Sequence, residues 1–316
     1  MQFKLRKTSL MAFAYAVILG GCQTTQVNPG AQKAQGDLSV LTSGQSLAVP
    51  YFKVNFLKFY SDTATAGDGF FDRGPSTGVK MEVKLKGLSD DIFQKITDEA
   101  YDDLNAKIAS SKYKLIPKDK VLASPQYKNI ESRYPDVDDK NAIHIPTGTR
   151  FPDGFTVGLR YGEVIQDLRA PTLLVNYTVN FVNFDKDTQH RAGWNTVTNR
   201  AEISAAPLVQ VAGTAQVVSY NDVETCNRMS QACMGAASQL TLSNKHTSTT
   251  LIGEMTETTD TAASVIISTV NLLARMQGTS TRDYSEYTLT AQEQAYYRAV
   301  LDAIKSANSE LVSQLP

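Results

Sequence analysis

Histidine, cysteine and tryptophan are scarce in this chain. Its 316 residues hold three His, three Cys and one Trp. Cys22, Cys226 and Cys233 are too few for a disulfide-dense scaffold and do not fall at zinc-ligand spacing. His144, His190 and His246 are scattered over polar stretches and read as solvated surface residues. No G-x-S-x-G elbow, Walker A loop, H-E-x-x-H or C-x-x-C pattern occurs, which removes the common hydrolase, NTPase, zincin and thiol-redox classes. No motif calls for a cofactor, and no catalytic or metal-binding set is assigned. An excess of one charge is also missing: 31 Lys and Arg balance 32 Asp and Glu, so there is no whole-chain basic footprint for nucleic acid. No run reaches the ~18 consecutive apolar residues of a membrane-spanning helix. With 42% hydrophobic and 20% charged residues, wholesale disorder is excluded and a sizeable core is expected.

What is present begins at the N-terminus. Lys4, Arg6 and Lys7 form a positive n-region, and Leu10 to Leu19 is an apolar run too short to span a bilayer comfortably. The run ends in Leu19-Gly20-Gly21-Cys22, which resembles the lipobox of bacterial lipoproteins. Small residues at 20 and 21 admit the chain to a peptidase cleft, and the Cys22 thiol receives the diacylglycerol. Residues 1–21 are thus expected to be a signal peptide. Their removal takes away three bases and no acids, leaving 295 residues with 28 bases against 32 acids. The resemblance to Gram-negative lipoproteins implies three acyl chains, more than the two-signal minimum for stable anchoring. With Gln23 rather than Asp after the anchor, it also implies outer-membrane sorting on the periplasmic face, surface exposure remaining open.

Once lipidation consumes Cys22, an even pair remains. Cys226 and Cys233 close a short loop in an oxidising compartment, so a disulfide is expected, with two free thiols as the alternative. Residues 22–47 are polar, small and aperiodic. They read as a lipidated tether with an r.m.s. reach of ~25–30 Å.

The domain is expected over 48–316. Phe52, Val54 and Phe56 alternate as a strand, and Val79, Met81, Val83 and Leu85 give the cleanest period of two. Between them a loop from Asp62 to Gly78 carries Phe70 and Phe71, either a membrane or partner wedge or a pair folded onto the core. Ser89, Asp90 and Asp91 open a helix whose stripe is Phe93, Ile96, Ala100, Leu104 and Ile108. Tyr113 to Ile116 reads as a short strand. A short helix interrupted at Pro125 and a loop over 134–154 follow; the loop's Asp136, Asp138 and Asp139 lack EF-hand spacing. Strands are expected at Phe155–Val164, Leu173–Phe184 and Leu208–Tyr220, with the turn at Asp185–Gly193. Asp260 is expected to cap a helix running to Met276, and Thr290-Ala291-Gln292-Glu293 matches a capping box before a final helix.

The order of lipobox, polar tether, strand "VPYFKVNF", helix "DDIFQKITDEAYDDLNAKIASSKYKLIP", strand "FTVGLRYGEVI", hairpin "LLVNYTVNFVNFD" and C-terminal helix resembles the periplasmic lipoproteins that share the CsgG-like and TolB-N-terminal fold. The resemblance implies an α+β class (an α/β sandwich): a mixed, largely antiparallel sheet packed with helices. In the channel members two membrane hairpins are inserted. Here "EVIQDLRAPT" is too short for the first, while 205–256, rich in Ser, Thr and Ala, is long enough for the second or for a soluble strand pair. The expected role is a non-catalytic binding or assembly subunit of a cell-envelope machine of the secretion, pilus, curli-like or flagellar kind. Its partners would be the membrane, through the anchor, and envelope proteins; no nucleic acid is expected, and oligomers are possible. The alternatives are an oligomeric outer-membrane pore and an envelope hydrolase with an unrecognised site.

Overall fold

The computed structural model describes residues 41–42, 44–66, 76–152, 157–192, 197–220, 234–242, 245–259, 266–267, 274–278 and 282–316. Leu19 to Cys22, Phe70, Phe71, Trp194, Cys226 and Cys233 lie outside them. In chain order the elements are β1 (Ser46–Leu57), β2 (Phe59–Ala66), β3 (Thr77–Lys86), α1 (Asp90–Ala109), β4 (Lys114–Leu115), α2 (Lys118–Ala123), α3 (Pro125–Lys128), β5 (Asp136–Val137) and β6 (Asn141–His144). Then come α4 (Val157–Leu168), β7 (Thr172–Asn180), β8 (Asn183–Ala192), β9 (Val197–Ala206), β10 (Val209–Tyr220), β11 (Met234–Thr241), β12 (His246–Ser248), β13 (Gly253–Glu257), β14 (Ile266–Ile267), β15 (Ala274–Gly278), β16 (Arg282–Ala291) and α5 (Glu293–Gln314). The fold is α+β, with mixed sheets.

The main sheet runs β11-β10-β7-β1-β6-β5, with β4 beside β1 and β12 beside β10. Only β1 pairs in parallel, with β7 and β4; its other partner and the β7–β10–β11 run are antiparallel. Helices cover both faces. On one face α1 and α5 pack on Phe52, Val54, Phe56, Val175, Tyr177 and Val211. On the other, α2 to α4 bury Tyr51, Tyr127, Phe151, Val164 and Ile165. Strand β1 serves both layers because its pairing with β7 slips between Ala48 and Tyr51. Pro50, which has no amide hydrogen to donate to a ladder, sits at that slip. Leu47 and Val49 therefore join the same core as Phe52, Val54 and Phe56, although their positions differ in parity.

The α1 stripe forms as its spacing predicts: Phe93, Ile96, Ala100, Leu104 and Ile108 are all buried. Each such side chain contributes roughly 1.5–3 kcal/mol if aromatic or large aliphatic. Asp90 and Asp91 at the start and Lys107 at the end complement the helix dipole. Ser89 occupies the N-cap position, yet its hydroxyl and amide both donate to Glu293 Oε2, at 3.0 and 3.2 Å. The expected capping box is thereby overturned. Thr290 stays in β16, α5 starts at Glu293, and that carboxylate serves the start of α1 instead of its own helix. Parallel pairing of β3 with β16 brings the two helix starts together. Gly87, at φ +85°, makes the turn between β3 and α1; a Cβ there would stand 2.8 Å from the Ala291 carbonyl oxygen.

Four other expectations are corrected. Residues 157–168 form α4 rather than a strand, because Val164 and Ile165 are buried side by side and Leu168 packs with them one helical turn on. Asp185 to Ala192 is strand β8, not a turn; an Asp- and Lys-rich strand survives there because it pairs with β9 along its whole length. Within the 134–154 loop, β5 and β6 extend the main sheet. The helix expected after Asp260 is replaced, where residues are described, by β14 and β15. Its β-branched residues fit the extended pairing seen at Ile266 and Ile267 with β13.

Two smaller sheets complete the chain: β14-β13-β16-β3-β2 and β15-β9-β8. The β7–β10 pair of the main sheet runs on into β8–β9 as one long antiparallel ribbon. It bends at Phe181 and Val182, where the Leu208 amide donates to the Phe181 carbonyl. Beyond the bend, β9 packs over β3, and β8 lies beside β2 with Phe184 stacked on Tyr60. Among the described residues no helix is long and apolar enough to cross a membrane.

Candidate functional site

The period of two in β3 divides the second sheet into two faces. Val79, Met81, Val83 and Leu85 point inward and join Ala201, Ile203 and Ala205 of β9 in the core. Lys80, Glu82, Lys84 and Lys86 point outward. Register places Tyr284, Glu286, Thr288 and Thr290 of β16 opposite them on one side, with Thr63, Ser61 and Phe59 of β2 on the other. The outer face is thus a four-strand array, completed by Glu254 and Thr256 of β13.

Its centre is a linked set of charges. Lys80 pairs with Glu82 and Lys84 with Glu286, each at 2.6 Å. The Tyr284 hydroxyl lies between the two carboxylates, 2.9 Å from Glu82 Oε2 and 3.2 Å from Glu286 Oε2. Desolvation and the two carboxylates hold this phenol well above its ordinary range. The Lys84 hydrogen bond is the main reason that the Glu286 carboxyl is lowered. At Glu82 desolvation opposes ionisation, but the hydrogen bonds from Lys80 and Tyr284 outweigh it and lower the group. Lys84, Glu82 and Glu286 are therefore charged at neutral pH, in a solvent-facing network beside Tyr284, a residue that is 44% exposed. The array has the chemistry of a polar recognition surface: donors, acceptors and an aromatic ring held in fixed positions by their neighbours.

His144 and His246 sit on strands at different parts of the main sheet and do not come together. His144 is buried at 2% exposure in β6, which corrects the expectation of a surface residue. It lies beside the packed pair of Phe56 and Phe93, far along the chain from either other histidine. His246 Nε2 meets Glu310 Oε2 at 2.7 Å and ties β12 to α5. The backbone of His190 is in β8. Among the described residues no group of three His, Cys, Asp or Glu is placed to hold a metal ion. Asp138, expected in a solvated loop, accepts the amides of Lys140 and Asn141; those two bonds lower its carboxyl and shape the β5–β6 turn.

A second polar cluster lies inside the body. Tyr177 donates to Asn308 Oδ1 at 2.9 Å, and Asn308 Nδ2 donates to the Ala100 carbonyl and to Asp103 Oδ2, both at 2.9 Å. This joins β7, α5 and α1 through one buried amide. Room for the Tyr177 ring comes from Gly213 in β10, where a Cβ would stand 2.3 Å from the ring. Burial pushes the Tyr177 phenol far above its usual range, so it acts here as a hydrogen-bond donor.

The outer-face residues of β16 carry a period-two signal, Tyr284, Glu286 and Thr288 against Ser285, Tyr287 and Leu289, which suffices to find the strand. What one strand's pattern lacks is its neighbour: the parallel pairing of β3 with β16, distant in sequence, brings Tyr284 and Glu286 to Lys80, Glu82 and Lys84. The chain matches no protein-family model and no curated protein sequence.

Proposed function

We propose that this protein is a lipid-anchored envelope subunit that works by binding, holding its α+β body on a tether from Cys22 and offering the outer face of the second sheet to an envelope protein. The observation that carries the reading is the array around Tyr284, a fixed pattern of charge and hydroxyl on four strands; the lipobox-like Leu19-Gly20-Gly21-Cys22 supplies the anchor part of the proposal. Lipidation, outer-membrane sorting and a Cys226–Cys233 disulfide belong to this proposal. The pore alternative finds some support in the length of β2, β3, β8 and β9, since 8–10 residues approach the ~9–11 of a tilted membrane strand. Against it, the apolar face of β3 already packs on β9, and β8 carries Asp185, Lys186 and Asp187 in succession.

The test is photo-crosslinking in living cells from a probe at position 284 of the lipidated protein, with a probe at exposed Leu251 as the control. A discrete envelope-protein adduct from 284, absent from 251, is expected. Adducts to lipid alone, or the same adducts from both positions, would overturn the reading.

A further inference from the structure

His144 is held in an unusual way for a buried histidine. The Gln94 side-chain amide nitrogen donates to the Ile145 carbonyl at 2.9 Å, so its oxygen is the acceptor facing His144 Nδ1 at 3.0 Å. That fixes the proton on Nδ1. Nε2 is then a bare lone pair, buried and without a hydrogen-bond partner among the described residues. The imidazole packs beside the Phe56–Phe93 pair, whose own centroids are 4.8 Å apart, with Tyr296 of α5 beyond Phe93.

The same Gln94 binds Thr147 Oγ1, and Asp98, one turn further on, accepts the Thr147 amide at 2.6 Å and its hydroxyl at 2.7 Å. His144, Gln94, Asp98 and Thr147 therefore form a chain of contacts fastening the segment after β6 to the first two turns of α1. On its other side β6 pairs with the two-residue β5; beyond it Ile145 is buried against the α2–α4 layer and Lys118 Nζ donates to the Thr147 carbonyl at 2.8 Å.

We propose that His144 is an acid-released catch: a proton added at Nε2 drives the ring out of its buried place beside Phe56 and Phe93 and frees residues 145–149 from α1. The proton comes from solvent and no covalent bond changes. The added N–H would have no acceptor among the described residues, and a buried charge without a partner is strongly disfavoured. The charged groups that face the ring are the carboxylates of Asp90 and Asp98 on α1, which favour the proton; β1 contributes only Phe56, and α5 the phenol of Tyr296, which burial keeps protonated. Desolvation outweighs the two carboxylates and lowers the His144 imidazole below its ordinary range. The sign follows. The unfolded chain takes up the proton first, so the closed state is favoured above the ordinary imidazole range near 6.5 and loses stability as pH falls from there through the lowered value. The catch does not depend on the envelope reading above.

Hydrogen exchange of the full chain, corrected for intrinsic rates, at about pH 7.5 and about pH 5 tests it. Peptides over 141–149 should lose protection about tenfold or more in acid, while α5 and β10 keep theirs, and His144→Gln should abolish the difference. An equal acid response in the variant, no response in the wild type, or a uniform loss across the chain would overturn the proposal. Should His144→Gln fail to fold, ring-nitrogen NMR of the wild type decides. Protonation at Nε2 coupled to loss of the Nδ1 contact supports the catch, and protonation with that contact retained contradicts it.

Discussion

The body around the main sheet and the two smaller sheets beyond the bend are joined by one ribbon of chain but held by different means. In the body, Tyr177, Phe52, Phe93 and Tyr101 fill a core between helices and sheet, and the buried Asn308 amide fixes how α5 sits on α1 and β7. Beyond the bend the contact between β9 and β3 is made with Ile203 flanked by Ala201 and Ala205, two small side chains that allow close approach but bury less area each. There the cross-links lie nearer solvent: Lys186 with Asp62 at 2.7 Å, Arg200 with Glu202 at 2.9 Å, and the Lys84–Glu286 pair. The difference teaches a division of labour. One core runs through both regions, with the larger rings in the body and the patterned charged surface on the outlying sheets, so substitutions in the body are expected to cost more.

The sharpest way to break that comparison is Gly213→Val. The new side chain would collide with the Tyr177 ring and pull its hydroxyl away from Asn308, so a loss of about 3 kcal/mol or more, or failure to fold, is expected in urea unfolding. Next comes Asn308→Leu. It strands the Tyr177 hydroxyl in the core and should cost about 2–4 kcal/mol, read in the same assay. Ile203→Ala, in the smaller sheets, should cost about 2 kcal/mol, with hydrogen exchange rising in β8 and β9 before the main sheet. Lys84→Ala breaks an exposed pair and should change stability by no more than about 0.5 kcal/mol, while weakening any adduct formed from position 284. A reversal, with Ile203→Ala costing more than Asn308→Leu, would mean that the smaller sheets and not the body set the stability.

Much of this was legible in the amino-acid pattern, and the failures have a common cause. Strand β3, helix α1 and helix α5 each present one buried face and one wet face, and a single segment's periodicity is enough to find them. Helix α4 was misread because Phe155 to Val164 mixes β-branched and glycine residues without a clean period; tertiary contacts from Val164 and Ile165 decide its state. The Thr290–Glu293 box failed because Glu293 found a better partner in Ser89, more than two hundred residues away in the chain. His144 reads as a surface residue because a polar, proline-flanked stretch gives no sign that α1 closes over it. The array around Tyr284 was missed for the same reason. Its members come from strands distant in sequence, and only the parallel pairing of β3 with β16 unites them.

The most direct measurement is the solution mass of the Cys22→Ala protein in detergent-free buffer, by light scattering on a purified sample. A tethered binding subunit should be soluble without its lipid and run as a monomer or a weak, concentration-dependent oligomer. A stable ring that needs detergent to stay in solution would contradict the account and restore the pore.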